Sequence, residues 1–239
     1  MAVCKLSSRV QEVRFLIHLK DVTKIYPSKV VALEHVNIDI NKGEFVFLVG
    51  QSGAGKSTFI KLLLREELPT SGEITVNGRN VVKMRSSEVP YLRRELGVIF
   101  QDYRLLPDKT IFENVAFAMQ VIEAPRKIMQ RSVNSVLEIV GLREKYKNFP
   151  DELSGGEQQR VAIARAIVND PAIVIADEPT GNLDPETSWD IMDIFQRINA
   201  VGTTIVMATH DKAIVDAMQR RVIAIENGHI TRDEVRGTY

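Results

Sequence analysis

The chain has 239 residues, 44% hydrophobic and 26% charged, the composition of a globular domain with a substantial core and not of a disordered segment. Its 31 lysines and arginines balance 31 aspartates and glutamates, so no global basic field exists to hold a phosphate polymer or an anionic bilayer, and no nucleic-acid partner is expected. One cysteine, Cys4, excludes an intrachain disulfide and suits a reducing cytoplasm, and no run approaches the ~18 apolar residues of a membrane span, so membrane attachment is expected only through a partner.

Residues 1–13 show no clear pattern and read as an N-terminal extension; 14–239 read as one unit whose character changes midway. Phe15, Ile17 and Leu19 alternate with Leu16, His18 and Lys20, and Val36, Ile38 and Ile40 alternate with Asn37, Asp39 and Asn41, which predicts two half-buried strands. Asn77-Gly78, between Ile74–Val76 and Val81–Val82, predicts a tight hairpin, so an antiparallel sheet is expected in the first third. The runs Phe45–Val49, Ala172–Ala176 and Ile205–Ala208 are apolar without alternation, as strands of a parallel sheet covered on both faces are. Between them Phe112, Val115, Ala116 and Met119, then Met129, Val133, Val136 and Val140, recur at three- and four-residue steps. That block, about 102–168, is expected to be a helical subdomain. The basic pairs Arg93-Arg94 and Arg220-Arg221 read as solvated faces or local ion pairs.

Gly50-Gln51-Ser52-Gly53-Ala54-Gly55-Lys56-Ser57-Thr58 follows the Phe45–Val49 run and precedes the apolar Phe59–Leu64 stretch, the context a phosphate-binding P-loop requires. Its glycines let backbone N–H groups converge on phosphates, Lys56 adds a point charge, and the Ser57 hydroxyl can ligate Mg²⁺. Asp177 and Glu178 end the Ala172–Ala176 run, where ligands of open parallel sheets bind. Asp177 is expected to reach Mg²⁺, and Glu178 to orient and polarise an attacking water. Leu153-Ser154-Gly155-Gly156-Glu157-Gln158 opens a segment whose Val161, Ala164 and Val168 form a helix face, so a second helix N-terminus offers free N–H groups to a phosphate. Two phosphate sites in one chain imply that a second copy supplies the second one, with two ATP molecules sandwiched between protomers.

The Leu153–Gln158 run resembles the signature of the ABC-type ATPases. The resemblance implies an α/β P-loop NTPase fold: a mostly parallel core sheet, an N-terminal antiparallel β subdomain and an inserted helical subdomain. It also implies MgATP hydrolysis by a homodimer. In that pattern Tyr26 stands where an aromatic stacks on adenine and Gln101 where a glutamine meets Mg²⁺ and the attacking water. Leu183-Asp184 falls where a loop crosses the dimer interface, and His210 where a histidine contacts the γ-phosphate. Phe100–Thr110, with Glu113-Asn114-Val115-Ala116 and Val222–Gly228, resembles the cell-division branch of that family. This branch implies an FtsX-like integral membrane partner and a role in regulating cell-wall hydrolases from the cytoplasmic face of the plasma membrane. The lipoprotein-release and macrolide-efflux ATPases share much of that stretch and remain the alternative. The DNA-repair and chromosome-organising ATPases are disfavoured, since no sustained heptads separate Lys56 from Ser154. A GTPase is disfavoured because Asn41-Lys42-Gly43-Glu44 before the P-loop lacks a guanine-reading Asp. Tyr103, Leu105, Leu106 and Pro107, ringed by Arg104, Asp108 and Lys109, have the composition of a binding patch or equally of a loop tucked against the helical subdomain; the resemblance implies that they form a groove for a short helix of the membrane partner.

Overall fold

The computed structural model describes residues 15–239. The 1–13 extension and Cys4 lie outside the described residues. In chain order the elements are β1 (Ile17–Ile25), β2 (Val31–Ile40), β3 (Phe45–Val49), α1 (Lys56–Leu63), β4 (Ser71–Val76), β5 (Arg79–Asn80), α2 (Val89–Arg94) and β6 (Leu96–Ile99). There follow α3 (Ile111–Gln120), α4 (Arg126–Ile139), α5 (Gly155–Ile167), β7 (Ile173–Asp177), α6 (Pro185–Ala200), β8 (Thr204–Ala208), α7 (Lys212–Met218), β9 (Arg221–Glu226) and β10 (His229–Glu234).

The strands form two sheets, β2-β1-β4-β5, which is antiparallel, and β10-β9-β3-β8-β7-β6, which is parallel except for the edge pair β9-β10. Apolar runs without alternation produce the second sheet because both of its faces are covered. Phe45, Phe47 and Val49 of β3, with Val174, Ala176, Ile205 and Met207, enter the core beneath α3 to α7. Val46, Leu48, Ile173, Ile175, Val206 and Ala208 enter the core shared with the antiparallel sheet, α1 and α2. The hairpin at Asn77-Gly78 is present. Its second arm is Arg79–Asn80 and not Val81–Val82, although Val81 N still donates to Ile74 O (2.9 Å).

Helices α3, α4 and α5 occupy the block expected to be helical. Thr110 caps α3 by accepting from Glu113 N, and Val115, Val133, Leu137 and Val161 are fully buried where the helices meet. Their core runs on without a break into that of the parallel sheet. The basic pair at 220–221 resolves into local ion pairing: Arg221 bonds Glu44 (2.7 Å) and Asp233 (2.8 Å) and raises its own pKa by doing so.

Candidate active site

Strand register brings the candidate residues to one edge. Leu48 and Asp177 both pair with Ala208, and Ile99 pairs with Ala176, so the chain leaves β3, β6, β7 and β8 side by side. The exits are the P-loop, Gln101, Glu178 and His210 respectively, at the carboxyl ends of parallel strands.

The P-loop bends back into α1 at Gly55, whose φ of 121° is open only to glycine. A Cβ there would sit 2.5 Å from the Ala32 carbonyl oxygen and 2.9 Å from Leu33 Cδ2, so glycine also lets the loop lie directly on β2. No side chain caps α1, which leaves its first-turn N–H groups and the positive end of its dipole facing outward. Lys56 is buried, and its ammonium donates to the carbonyls of Gly50 (2.6 Å) and Gln51 (3.1 Å). Ser57 is exposed at the same helix start. Gly50 through Ala54 line a polar cavity of about 370 Å³ with Glu226, Asn227, Arg232 and Tyr239. The Tyr26 hydroxyl stands 3.3 Å from Thr58 Oγ1, and the Lys24 ammonium lies 4.9 Å over its ring, so this aromatic flanks the loop.

Across from it the acids converge. Burial pushes the Asp177 carboxyl up from the usual aspartate range, and the adjoining Glu178 adds to this, against the opposing pull of Lys56. Glu178 is held at φ 49°, a left-handed conformation uncommon for glutamate, by its N–H bond to Ala208 O (2.9 Å) and the Gly181 N–H on its own carbonyl (3.2 Å). Its Oε1 lies 3.2 Å from His210 Nδ1. A Cβ on Gly181 would stand 3.1 Å from Gln101 Nε2 and 3.5 Å from Glu178 Oε2, so Gln101, Glu178 and His210 gather at one point. Thr180 and Thr209, both buried, line the cavity of about 180 Å³ there with Glu178, Gly181 and His210. Sequence reasoning missed these two threonines, although Thr209 adjoins His210 and Thr180 lies two residues beyond Glu178. The hydroxyl of Ser57, the carboxylate of Asp177 and the amide oxygen of Gln101 are the hard oxygen donors a divalent cation such as Mg²⁺ takes, and the raised pKa of Asp177 fits a carboxylate that gains from a cation beside it.

The signature segment is placed elsewhere. Ser154 caps α5, accepting from Glu157 N (3.3 Å), and the Glu157 carboxylate answers at Ser154 N (3.1 Å). That carboxylate is also held by Lys145 (2.5 Å), whose bond lowers its pKa, so Glu157 serves the cap and is not free to face a ligand. The N–H groups of Gly155 and Gly156, first in the helix, have no intrahelical partner. A Cβ on Gly156 would meet Thr187 Cγ2 at 2.3 Å, so glycine lets the start of α5 abut that of α6. Asp184 caps α6, accepting from Thr187 N (3.0 Å) and Thr187 Oγ1 (2.6 Å), bonds that keep its pKa low.

The segment after Gln101 differs from expectation. Leu105 packs against the main core, and fully buried Asn114 binds both the N–H (2.8 Å) and the carbonyl (3.1 Å) of Leu106. An exposed apolar groove of about 440 Å³ lies nearby, walled by Phe117, Val121 and Ile122 and edged by Pro90, Arg93 and Arg94.

Residues 33–181 match the family described as ABC transporter. A protein of Bacillus subtilis named Cell division ATP-binding protein FtsE is 56% identical over 224 residues, covering 94% of this chain and 98% of the relative. Its namesakes in Mycobacterium tuberculosis (57% over 225 residues, 94% and 98% covered) and Escherichia coli (45% over 215 residues, 90% and 97%) are similar throughout. The ATP-binding cassette MJ0796, solved as a dimer in a post-hydrolysis state bound to ADP and Pi, superposes with a TM-score of 0.82 at 35% identity, covering 93% of this chain and 100% of that one. The P-loop, the acid pair and the second helix N-terminus thus stand in a chain similar to these along nearly its whole length, and it belongs to the ABC transporter family as an ATP-binding ATPase.

Proposed function

We propose that this chain is the ATPase subunit of a cell-division complex. Two copies close head to tail on ATP beneath an FtsX-like integral membrane protein, and turnover is passed outward to cell-wall hydrolases. It stays on the cytoplasmic face of the plasma membrane through that partner; among the described residues no helix is long and apolar enough to cross a membrane. The names of the relatives support the cell-division setting.

One observation carries the head-to-tail arrangement. None of Ser154–Glu157 lines the cavity at the P-loop or the one at Glu178 and His210, so the signature helix start needs another chain's nucleotide to complete it. In this reading Gly50–Thr58 cradle the phosphates and Tyr26 stacks on the adenine. Glu178 holds and deprotonates the water, His210 and Gln101 orient it, and the opposite protomer brings Ser154, Gly155 and Gly156, with Asp184 at the seam. Ser57, Asp177 and Gln101 would hold Mg²⁺, which when bound offsets phosphate charge. The groove at Phe117 and Val121 receives an amphipathic segment of the membrane partner, its Arg93 and Arg94 rim favouring an acidic edge.

Glu178→Gln tests the reading. The amide keeps the shape and loses the base, so turnover should fall about a thousandfold while ATP binding persists and the sandwich accumulates as a dimer. Sedimentation with and without ATP reads the dimer; wild-type turnover, or a monomer at every ATP concentration, refutes the assignment.

A further inference from the structure

Gln159 lies in α5, directly after the signature segment and one turn past Gly155, and is fully buried. Its Nε2 donates to the Pro179 carbonyl at 2.7 Å, while its Oε1 has no partner. A buried amide that satisfies only one end costs stability, and an apolar side chain of the same size would avoid that cost. Its single bond falls on the residue that follows Glu178, inside the turn that holds Glu178 at φ 49°.

Further along the helix, the Arg165 guanidinium donates to the carbonyls of Arg104 (2.6 Å) and Tyr103 (2.7 Å). These are consecutive non-glycine residues at φ 48° and 55°, and they directly follow the turn from Gln101. Burial lowers the Arg165 pKa, and the positive charge of Arg104 adds to this. Arg104 itself stacks on Phe100, its guanidinium carbon 3.6 Å from the ring centre. The two gripped segments meet each other at Gly181 and Gln101.

We infer that Gln159 is a positioning residue for the catalytic base: through Pro179 it fixes Glu178, with Arg165 fixing the Gln101 loop from the same helix. This rests on the proposed roles of Glu178 and Gln101 and of the signature in trans. One rigid helix then presents Gly155 and Gly156 to the nucleotide of the partner protomer and holds the base over its own. Signature engagement at one site and base geometry at the other are thereby joined through α5.

Gln159→Met keeps the volume, removes the donor and also removes the orphaned acceptor. Steady-state ATPase is measured with nucleotide affinity and a thermal melt on the same preparation. The expected result is kcat down about tenfold with KM for ATP within about twofold, in a protein that melts no lower than wild type. Arg165→Leu, which removes both donors to the Tyr103 and Arg104 carbonyls, should show the same kcat-only loss, and it carries the test if the Gln159 variant fails to fold. A folded Gln159→Met protein with unchanged kcat, or equal losses in kcat and ATP affinity, overturns the inference. Glu178→Gln, run alongside, separates the two readings. If it retains turnover the base assignment itself is wrong, whereas a dead Glu178→Gln beside a fully active Gln159→Met condemns only the positioning role.

Discussion

Asp177 and Glu178 are neighbours whose charges the apoprotein accommodates poorly, because burial and mutual repulsion together raise the Asp177 pKa. A carboxyl whose folded pKa exceeds its unfolded one keeps its proton longer in the native state, so stability falls as pH rises through that interval. Asp177→Asn removes the charged form. The variant without nucleotide should melt about 2–4 °C higher than wild type at neutral pH, as roughly 1 kcal/mol does in a chain of this size, while losing Mg²⁺-dependent ATPase. The gap should close below about pH 4, where both proteins carry a neutral group. Melts across pH 3.5–7.5 check this; a variant less stable at neutral pH would show that the attraction of Lys56 outweighs burial and the repulsion of Glu178. The same pair was legible in the sequence because it ends an apolar run behind a P-loop. Gln159 was not, since a polar residue in a helix reads as surface until Pro179, distant in sequence, is placed against it.

Among elements, the sheet and the helical block were read from periodicity, and what escaped has physical causes. Strand β6 has only four residues, one of them Gly97, too few to show a period. Helix α6 carried usable signals, Asp184 as cap, Pro185 in the first turn and buried Ile191, Ile194, Phe195 and Ile198, but the Asp had already been read as an interface residue. The Leu105-Leu106 loop was expected to face a partner because of the family resemblance, its composition suiting a buried loop equally well; the packing of Leu105 against the core and the bonds of buried Asn114 to the Leu106 backbone favour the buried loop. The docking prediction therefore moves to α3. Phe117 and Val121 are 44% and 51% exposed, so Phe117→Asp with Val121→Asp should cost less than about 1 kcal/mol of stability, yet abolish co-purification with the membrane protein. A pull-down from detergent-solubilised membranes beside a melt decides it; an intact complex carrying both changes would place the contact elsewhere. The identity of the captured protein separates a cell-division complex from a lipoprotein-release or efflux system.

For the whole molecule, the account requires two chains per working site. Lys56→Ala disables the P-loop of its own protomer, and Ser154→Arg blocks the phosphate held by the opposite one. A heterodimer of the two places both lesions in one composite site and leaves the other whole. The deciding measurement is ATPase activity after mixing the two inactive proteins in equal amounts, with heterodimers counted by native mass. Random pairing makes half the dimers heterodimers with one intact site each, so activity should return to about a quarter of wild type. Heterodimers that stay inactive would show instead that the two sites are strictly coupled; a Ser154→Arg protein that alone turns over ATP at the wild-type rate, or full activity at a monomeric mass, would contradict the shared site.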